Sequence, residues 1–187
     1  MATGCDWKTT LASFSPACDR PDDVAALRAL NMAASAADKG TYGVGAVLLD
    51  EAGQIVSEGH NEVHIGGFRS DLHAEMVLLN KWEAANGICN LSKFTLISSL
   101  EPCPMCMTRI IFAGVGHVRY VCADSIGGMV QRKDSLPPVF QKLTADQNQQ
   151  WGEAACSDVL RTLAFQIWDD SRETLDARLV ARSLEDK

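Results

Sequence analysis

No stretch of about 18 consecutive apolar residues occurs in the 187-residue sequence, so no membrane-spanning helix is expected. Met1 to Thr10 is polar and lacks the apolar segment of a secretory signal. Cysteines are odd in number, seven in all (Cys5, Cys18, Cys89, Cys103, Cys106, Cys122 and Cys156), and their spacing suggests no disulfide framework. The expected compartment is the cytoplasm, where thiols stay reduced and a Cys-x-x-Cys pair signals metal or redox chemistry. A basic excess is missing too, because the formal net charge is −7. Proteins that grip long polyanions usually carry a basic face, so this balance favours a small-molecule partner over nucleic acid. There are no internal repeats and no low-complexity tracts.

What is present suits one globular domain with a substantial core. Its expected organisation is an N-terminal arm over 1–20, a core over 21–125 and a mostly helical region over 126–187. The arm lacks clear periodicity and is expected to pack on the domain or on a partner subunit. Pro21-Asp22-Asp23 opens a helix, with proline at its first position and acids in its first turn. Val24, Leu27, Leu30 and Met32 form its apolar face, and Lys39-Gly40 ends it. Gly43 to Leu49 and Gln54 to Gly59 read as strands joined by the turn-like Asp50-Glu51-Ala52-Gly53. Asn61 to Asp71 is a loop, and His73 to Ala85 is helical. Phe94 to Ser99 is a strand, Cys103 to Ala113 a helix and His117 to Cys122 a strand. Such alternation implies a largely parallel sheet covered on both faces. After Asp124 comes a loop to Pro138. From Thr144 the pattern is helical, with Leu160, Leu163, Ile167, Leu175 and Leu179 apolar. Val139 to Leu143 is the one candidate for a short fifth strand.

The chemistry concentrates in two short motifs, His73-Ala74-Glu75 and Pro102-Cys103-Pro104-Met105-Cys106. A Cys-x-x-Cys that begins a helix can put two thiolates on one zinc, and the helix N-terminus favours the thiolate form. Alone it is equally compatible with a structural zinc site or a thioredoxin-like redox pair. A structural site needs two more ligands, however, and no second Cys-x-x-Cys exists. His73 opens the preceding helix. Two helices that follow adjacent strands of a parallel sheet present their N-termini at one edge, where open α/β sheets bind ligands. His73, Cys103 and Cys106 can therefore converge. Three protein ligands leave the fourth tetrahedral position for water, which is the catalytic pattern. Glu75 then supplies a carboxylate that can take the water's proton and pass it on. Taken alone, it would be a first-turn acid stabilising the helix dipole.

With these motifs in this order, the chain resembles the cytidine deaminase-like superfamily of zinc-dependent deaminases over about residues 21–125. Ser98-Ser99-Leu100-Glu101-Pro102-Cys103-Pro104-Met105-Cys106, Val44-Gly45-Ala46-Val47 and Asn61 are most similar to its guanine deaminase and tRNA adenosine deaminase branch. The resemblance implies an α/β fold, a three-layer α/β/α sandwich with a central mixed sheet and helices on both faces. It implies a homodimer with one zinc ion per subunit and a bound water or hydroxide. It also implies hydrolytic replacement of a ring amine by a carbonyl, with Glu75 as proton shuttle. Asn61 and the peptide at Ala74 would contact the base, and Val44 stands where guanine-acting relatives commonly have phenylalanine.

The substrate is less legible. The tail Asp169 to Lys187 carries six acids and four bases, unlike the arginine-rich terminal helix of tRNA-acting relatives. Arg69, Arg109, Arg119, Arg132 and Lys133 are the candidates for a phosphate-binding cluster, or else scattered surface charge. Trp151, Phe165 and Trp168 either pack the C-terminal region on the core or close over a flat base. Asp124 is expected either to line the pocket or to cap its loop. Ile110-Ile111-Phe112 suits an interface or a core. The favoured substrate is a free nucleobase or nucleoside, an aminated purine ahead of a pyrimidine. The alternatives are a nucleic-acid editing deaminase and a non-catalytic zinc-stabilised binding domain.

Overall fold

A computed structural model of the chain describes residues 7–185, without the side chains of 173, 174 and 177–185. Cys5 and the Leu179 side chain lie outside the described residues. Five strands form one sheet in the order β2-β1-β3-β4-β5: β1 Gly45–Leu49, β2 Ile55–His60, β3 Thr95–Leu100, β4 His117–Cys122 and β5 Gln150–Glu153. The helices are α1 Trp7–Ser13, α2 Asp23–Asp38, α3 Ala74–Asn86, α4 Pro104–Ala113, α5 Pro138–Asp146 and α6 Asp158–Glu185.

The sheet is mixed for a local reason. Between β1 and β2, Asp50 Oδ1 accepts the N–H groups of Ala52 and Gln54, both at 2.9 Å, and Gly53 takes φ +77. This tight turn makes β1 and β2 an antiparallel hairpin. β1 also pairs antiparallel with β3, while β3–β4 and β4–β5 are parallel. Four strands therefore run one way and β1 alone runs against them. β2 and β3 are not adjacent, as the alternation of elements suggested, because β1 lies between them. They still end at the same sheet edge, since α3 carries the chain across β1 in a parallel crossover.

Side chains alternate between two cores. Val47, Ile97 and Val121 pack against α2 and α6, whereas Ala46, Leu48, Leu96 and Val118 pack against α3 and α4. The buried face of α2 differs from the expected one. Ala25, Ala26, Ala29, Leu30, Ala33 and Ala36 are buried, while Val24 is 64% exposed. Small residues let the helix sit close to the sheet: a Cβ on Gly45 would overlap the Ala29 carbonyl oxygen. The helix also starts two residues after Pro21, with Asp22 as its N-cap. Of the apolar trio on α4, Ile110 and Ile111 are core and Phe112 alone is exposed.

The termini bring further corrections. Part of the N-terminal arm is helical, and it packs on its own domain. Leu11 is buried, and the Trp7 indole donates to Asp170 on α6 at 2.9 Å. Val139 to Leu143 belongs to α5, since Pro138 sits at the first helical position, where proline is preorganised. Helix does not run on from Thr144: α5 ends at Asp146. The fifth strand, Gln150–Glu153, follows on the sheet edge, too short and too polar to show alternation.

Asp23 joins the two ends of the core. Its buried carboxylate accepts from the Ala17 amide at 2.9 Å and from the amide and hydroxyl of Ser157, both at 2.6 Å. Burial alone would raise its pKa, but the hydrogen bonds from Ala17 and Ser157 outweigh it and leave the pKa lowered. A folded value below the unfolded one gives stability that is present above the ordinary carboxylate pKa of about 3.9. That stability is lost as pH falls through the folded value. Asp23→Asn is expected to cost about 2–3 kcal/mol, from bonds to a charged group. In a domain of this size that lowers Tm by roughly 5–10 °C at pH 7. Thermal melts should show this gap narrowing below about pH 4.

Candidate active site

His73 and Cys103 occupy equivalent places. Each is the N-cap of its helix, with extended backbone (φ −69, ψ 160 and φ −71, ψ 170), and each follows a strand that ends at the same sheet edge. Proline at position 104 stiffens the start of α4. Gly59 lets α3 start flush against β2, because a Cβ there would stand 2.6 Å from the Ala74 carbonyl oxygen. Cys106 lies one turn into α4, on the same side as Cys103.

The three ligand atoms lie within 4.8 Å of one another. His73 Nδ1 is 3.6 Å from Cys103 Sγ and 3.6 Å from Cys106 Sγ. Tetrahedral zinc, with bonds of about 2.3 Å to sulfur and about 2.05 Å to nitrogen, requires an N···S separation of about 3.5–3.6 Å. The donor set and its spacing therefore fit zinc. Among the described residues no fourth His, Cys, Asp or Glu joins the group, so one tetrahedral position stays open to water.

Electrostatics at this point are strongly perturbed. The Cys103 thiol is lowered to about 4, chiefly by a hydrogen bond from the Cys106 thiol, with help from His73 and the Cys106 amide against the cost of burial. Cys106 is raised well above its ordinary value, because it donates to Cys103, is buried and faces Glu75. Such a pair releases its remaining proton on binding a divalent metal. Glu75 is buried, and Ser98 Oγ donates to its Oε1 at 3.2 Å. Burial, then the negative charge on Cys103, raises its pKa, which suits a carboxyl that must accept and return a proton.

A cavity of about 420 Å³ opens over these residues, within the usual range for small-ligand sites. Val44, Asn61, His73, Glu75, Cys103, Cys106 and Asp124 all line it. The Asn61 carbonyl oxygen is taken up by the Thr41 hydroxyl at 2.6 Å and the Val63 amide at 3.0 Å. Its Nδ2 has no protein partner among the described residues, so a donor is free for a ligand. Asp124 serves both of its expected roles, since its Oδ1 also accepts from the amides of Ile126 and Gly127, both at 2.9 Å. The Ala74 side chain does not line the cavity. It is buried in the core with Leu78. Of the three C-terminal aromatics only Trp168 lines the cavity. Trp151 packs on the core, and Phe165 is 47% exposed.

Tyr42, Phe68, Glu101, Arg172 and Asp176 line the cavity without having been singled out in the sequence. Glu101 is buried and accepts from the amides of Asp124 at 3.0 Å and Gln131 at 2.9 Å, which pins the loop after β4 over the site. Gly128 must lack a side chain there, because a Cβ would overlap the Glu101 carboxyl. For Arg172 and Asp176 there is a sequence signal: they stand four and eight positions after Trp168, on one face of a helix. Four of the five candidate basic residues are engaged by other groups. Arg69 pairs with Asp71 and Arg109 with Glu83, while Arg119 and Arg132 donate to backbone carbonyls.

Residues 20–122 match the family model described as the cytidine and deoxycytidylate deaminase zinc-binding region. The tRNA-specific adenosine deaminase of Bacillus subtilis is 35% identical over 107 residues, 57% of this chain and 65% of that enzyme. Against another matched relative, the tRNA(Ile)-lysidine synthase of Deinococcus radiodurans, the chain spans only 17% of its length. A tRNA:A34 deaminase structure superposes with a TM-score of 0.60 at 26% identity, covering 74% of this chain and 94% of that one. The guanine deaminase of Nitrosomonas europaea superposes with a TM-score of 0.61 at 18% identity, covering 84% and 90%, a likeness of fold alone.

Two outcomes follow for this site. Cys106→Ala should purify with far less than one zinc per chain by elemental analysis, because two ligands cannot hold the ion. Glu101→Ala should keep its zinc yet expose the segment after β4, read as faster proteolytic cleavage between residues 124 and 131.

Proposed function

This chain belongs to the cytidine and deoxycytidylate deaminase family of zinc enzymes, and from that premise we propose that it deaminates a small aminated purine, a free nucleobase or nucleoside. The observation that carries the substrate reading is the charge of the cavity. Glu75, Glu101, Asp124 and Asp176 line it against the single guanidinium of Arg172. A neutral ligand is tolerated there, while a phosphate is repelled at close range.

When bound by His73, Cys103 and Cys106, zinc supplies Lewis acidity that lowers the pKa of water to about 7. The protein's own groups do the rest. Asn61 Nδ2 donates to an acceptor on the base and sets its orientation. Glu75, steadied by Ser98, takes the proton of the attacking water and hands it to the ring nitrogen beside the reacting carbon. It then carries the second water proton to the departing amine. Water and the amino-substituted ring become ammonia and a ring carbonyl, and Glu75 ends as it began. The walls at Val44, Val63 and Leu100 are apolar and keep this exchange from bulk solvent.

Similarity to tRNA-specific adenosine deaminase favours a second reading, editing of a nucleic acid. Against it stand the net charge and the arginines already engaged by acids or carbonyls. A non-catalytic zinc domain would have no use for a buried carboxyl beside the open metal position. Part of the proposal is a homodimer in a reducing compartment such as the cytoplasm, with the exposed Phe112 available to the interface.

The test is ammonia release from adenine, guanine, cytosine and their nucleosides by zinc-loaded protein. Turnover of at least one purine is expected. Glu75→Gln should keep its zinc and lose about 10²–10⁴-fold in kcat, the usual worth of a positioned acid–base group. Zinc-loaded protein that releases no ammonia from any of these compounds, yet binds tRNA with a steep salt dependence, would establish the second reading instead.

A further inference from the structure

Asn61 orients a base only if its own carboxamide is held, because a freely turning amide offers a donor and an acceptor alike. The Thr41 hydroxyl, 20 positions earlier in the chain, donates to Asn61 Oδ1 at 2.6 Å, and the Val63 amide donates to the same oxygen at 3.0 Å. Both acceptor positions of Oδ1 are thereby filled. The Asn61 backbone amide in turn donates to the Val44 carbonyl at 2.9 Å. Turning the carboxamide over would set its NH2 group against the Val63 N–H, so Nδ2 is directed away from both donors. It has neither a protein partner among the described residues nor the sealed position of a buried orphan atom, and Asn61 lines the cavity.

Thr41 is built for this contact. Its hydroxyl carries one proton, and it accepts from the His64 amide at 3.4 Å, which leaves that proton for Asn61. Thr41 and Asn61 are both buried, so water does not compete for the bond. The segment that carries Thr41 is fixed along its length. The Thr41 amide donates to the Ala36 carbonyl at 3.2 Å, the Gly43 amide to Ser171 Oγ at 2.7 Å and the Gly45 amide to Ser99 Oγ at 3.0 Å. A Cβ on Gly43 would stand 2.5 Å from the Ile167 carbonyl oxygen, so the chain lies directly on α6.

We infer that Thr41 is a positioning residue of the reaction: by filling Asn61 Oδ1 it leaves Nδ2, a donor only, to meet the base. The substrate then carries an acceptor at that point, a ring nitrogen lone pair or a carbonyl, and a ring N–H there is refused. The inference rests on the proposed role of Asn61 and adds the residue that acts through it.

Thr41→Val in the zinc-loaded full chain tests it, because valine keeps the shape of threonine and removes the hydroxyl. The readout is ammonia release from adenine, guanine and their ribonucleosides. For a compound turned over, kcat/KM should fall about tenfold, the worth of a buried acceptor left short of a donor. The fall should come chiefly through KM, since Asn61 holds ground state and transition state alike. Thr41→Ser, which restores the hydroxyl, should recover most of the loss. In an Asn61→Ala background, Thr41→Val should change kcat/KM by less than about twofold, because its target is gone. Equal losses in both backgrounds would mean that Thr41 acts through packing and would overturn the inference. A second readout needs no substrate. The Asn61 side-chain amide signal in a ¹⁵N NMR spectrum, assigned by its loss in Asn61→Asp, should shift in Thr41→Val and return in Thr41→Ser. An unmoved signal overturns the inference as well. If no compound yields ammonia, the small-molecule reading falls alone and the amide signal still decides the role of Thr41. Thr41→Ala, which removes the same hydroxyl without setting a methyl against Oδ1, takes the place of Thr41→Val in both measurements if the latter does not fold.

Discussion

One imidazole nitrogen and two sulfurs must meet at a single point, and most of the architecture can be read as the means of bringing them there. His73 and Cys103 are both helix N-caps, and their helices follow β2 and β3. Those strands run in the same direction although β1 separates them, so both chains emerge at one edge. The hairpin turn at Asp50 to Gly53 makes β1 antiparallel, which leaves room for α3 to cross over it. Gly45 and Gly59, which face helices, let α2 and α3 lie against opposite faces of the sheet. A bulkier residue at Gly59 would lift the start of α3, and with it His73.

Charge is the second constraint. Two buried carboxyls flank the metal position and are used differently. Glu75 accepts from the Ser98 hydroxyl, and burial raises its pKa. Glu101 is engaged by two backbone amides and serves as the anchor of the loop after β4. The same residue type thus lies buried beside the metal position in one place and anchors a loop in the other. Asp124, Asp176 and these two give the cavity its negative character.

Much of this was legible locally. The Pro-Cys-x-x-Cys and His-x-Glu motifs announce helix starts as well as chemistry, because a ligand at an N-cap is also a boundary signal. The strands β1 to β4 carry enough apolar residues to be read one by one. Where reading failed, the cause was a partner far away in sequence. Val24 looked like core, but the alanines of α2 are buried because Gly45 draws the helix close. Gln150–Glu153 is a strand only because β4 offers it an edge. Arg109 is taken up by Glu83, 26 positions earlier in the chain.

The sequence by itself determined the family: the His73, Cys103 and Cys106 donor set, its order along the chain with Glu75 between its members, and the strand–helix units that carry them. These are features of short segments, set by residue type and spacing. Tertiary structure alone decided which strands are neighbours, which face of α2 is buried, and what stands across the cavity from the metal. Trp168, Arg172 and Asp176 reach the site only because α6 packs on the sheet opposite α3 and α4, about 100 positions along the chain from His73. Contacts over that separation depend on how whole faces pack, and no local pattern encodes them.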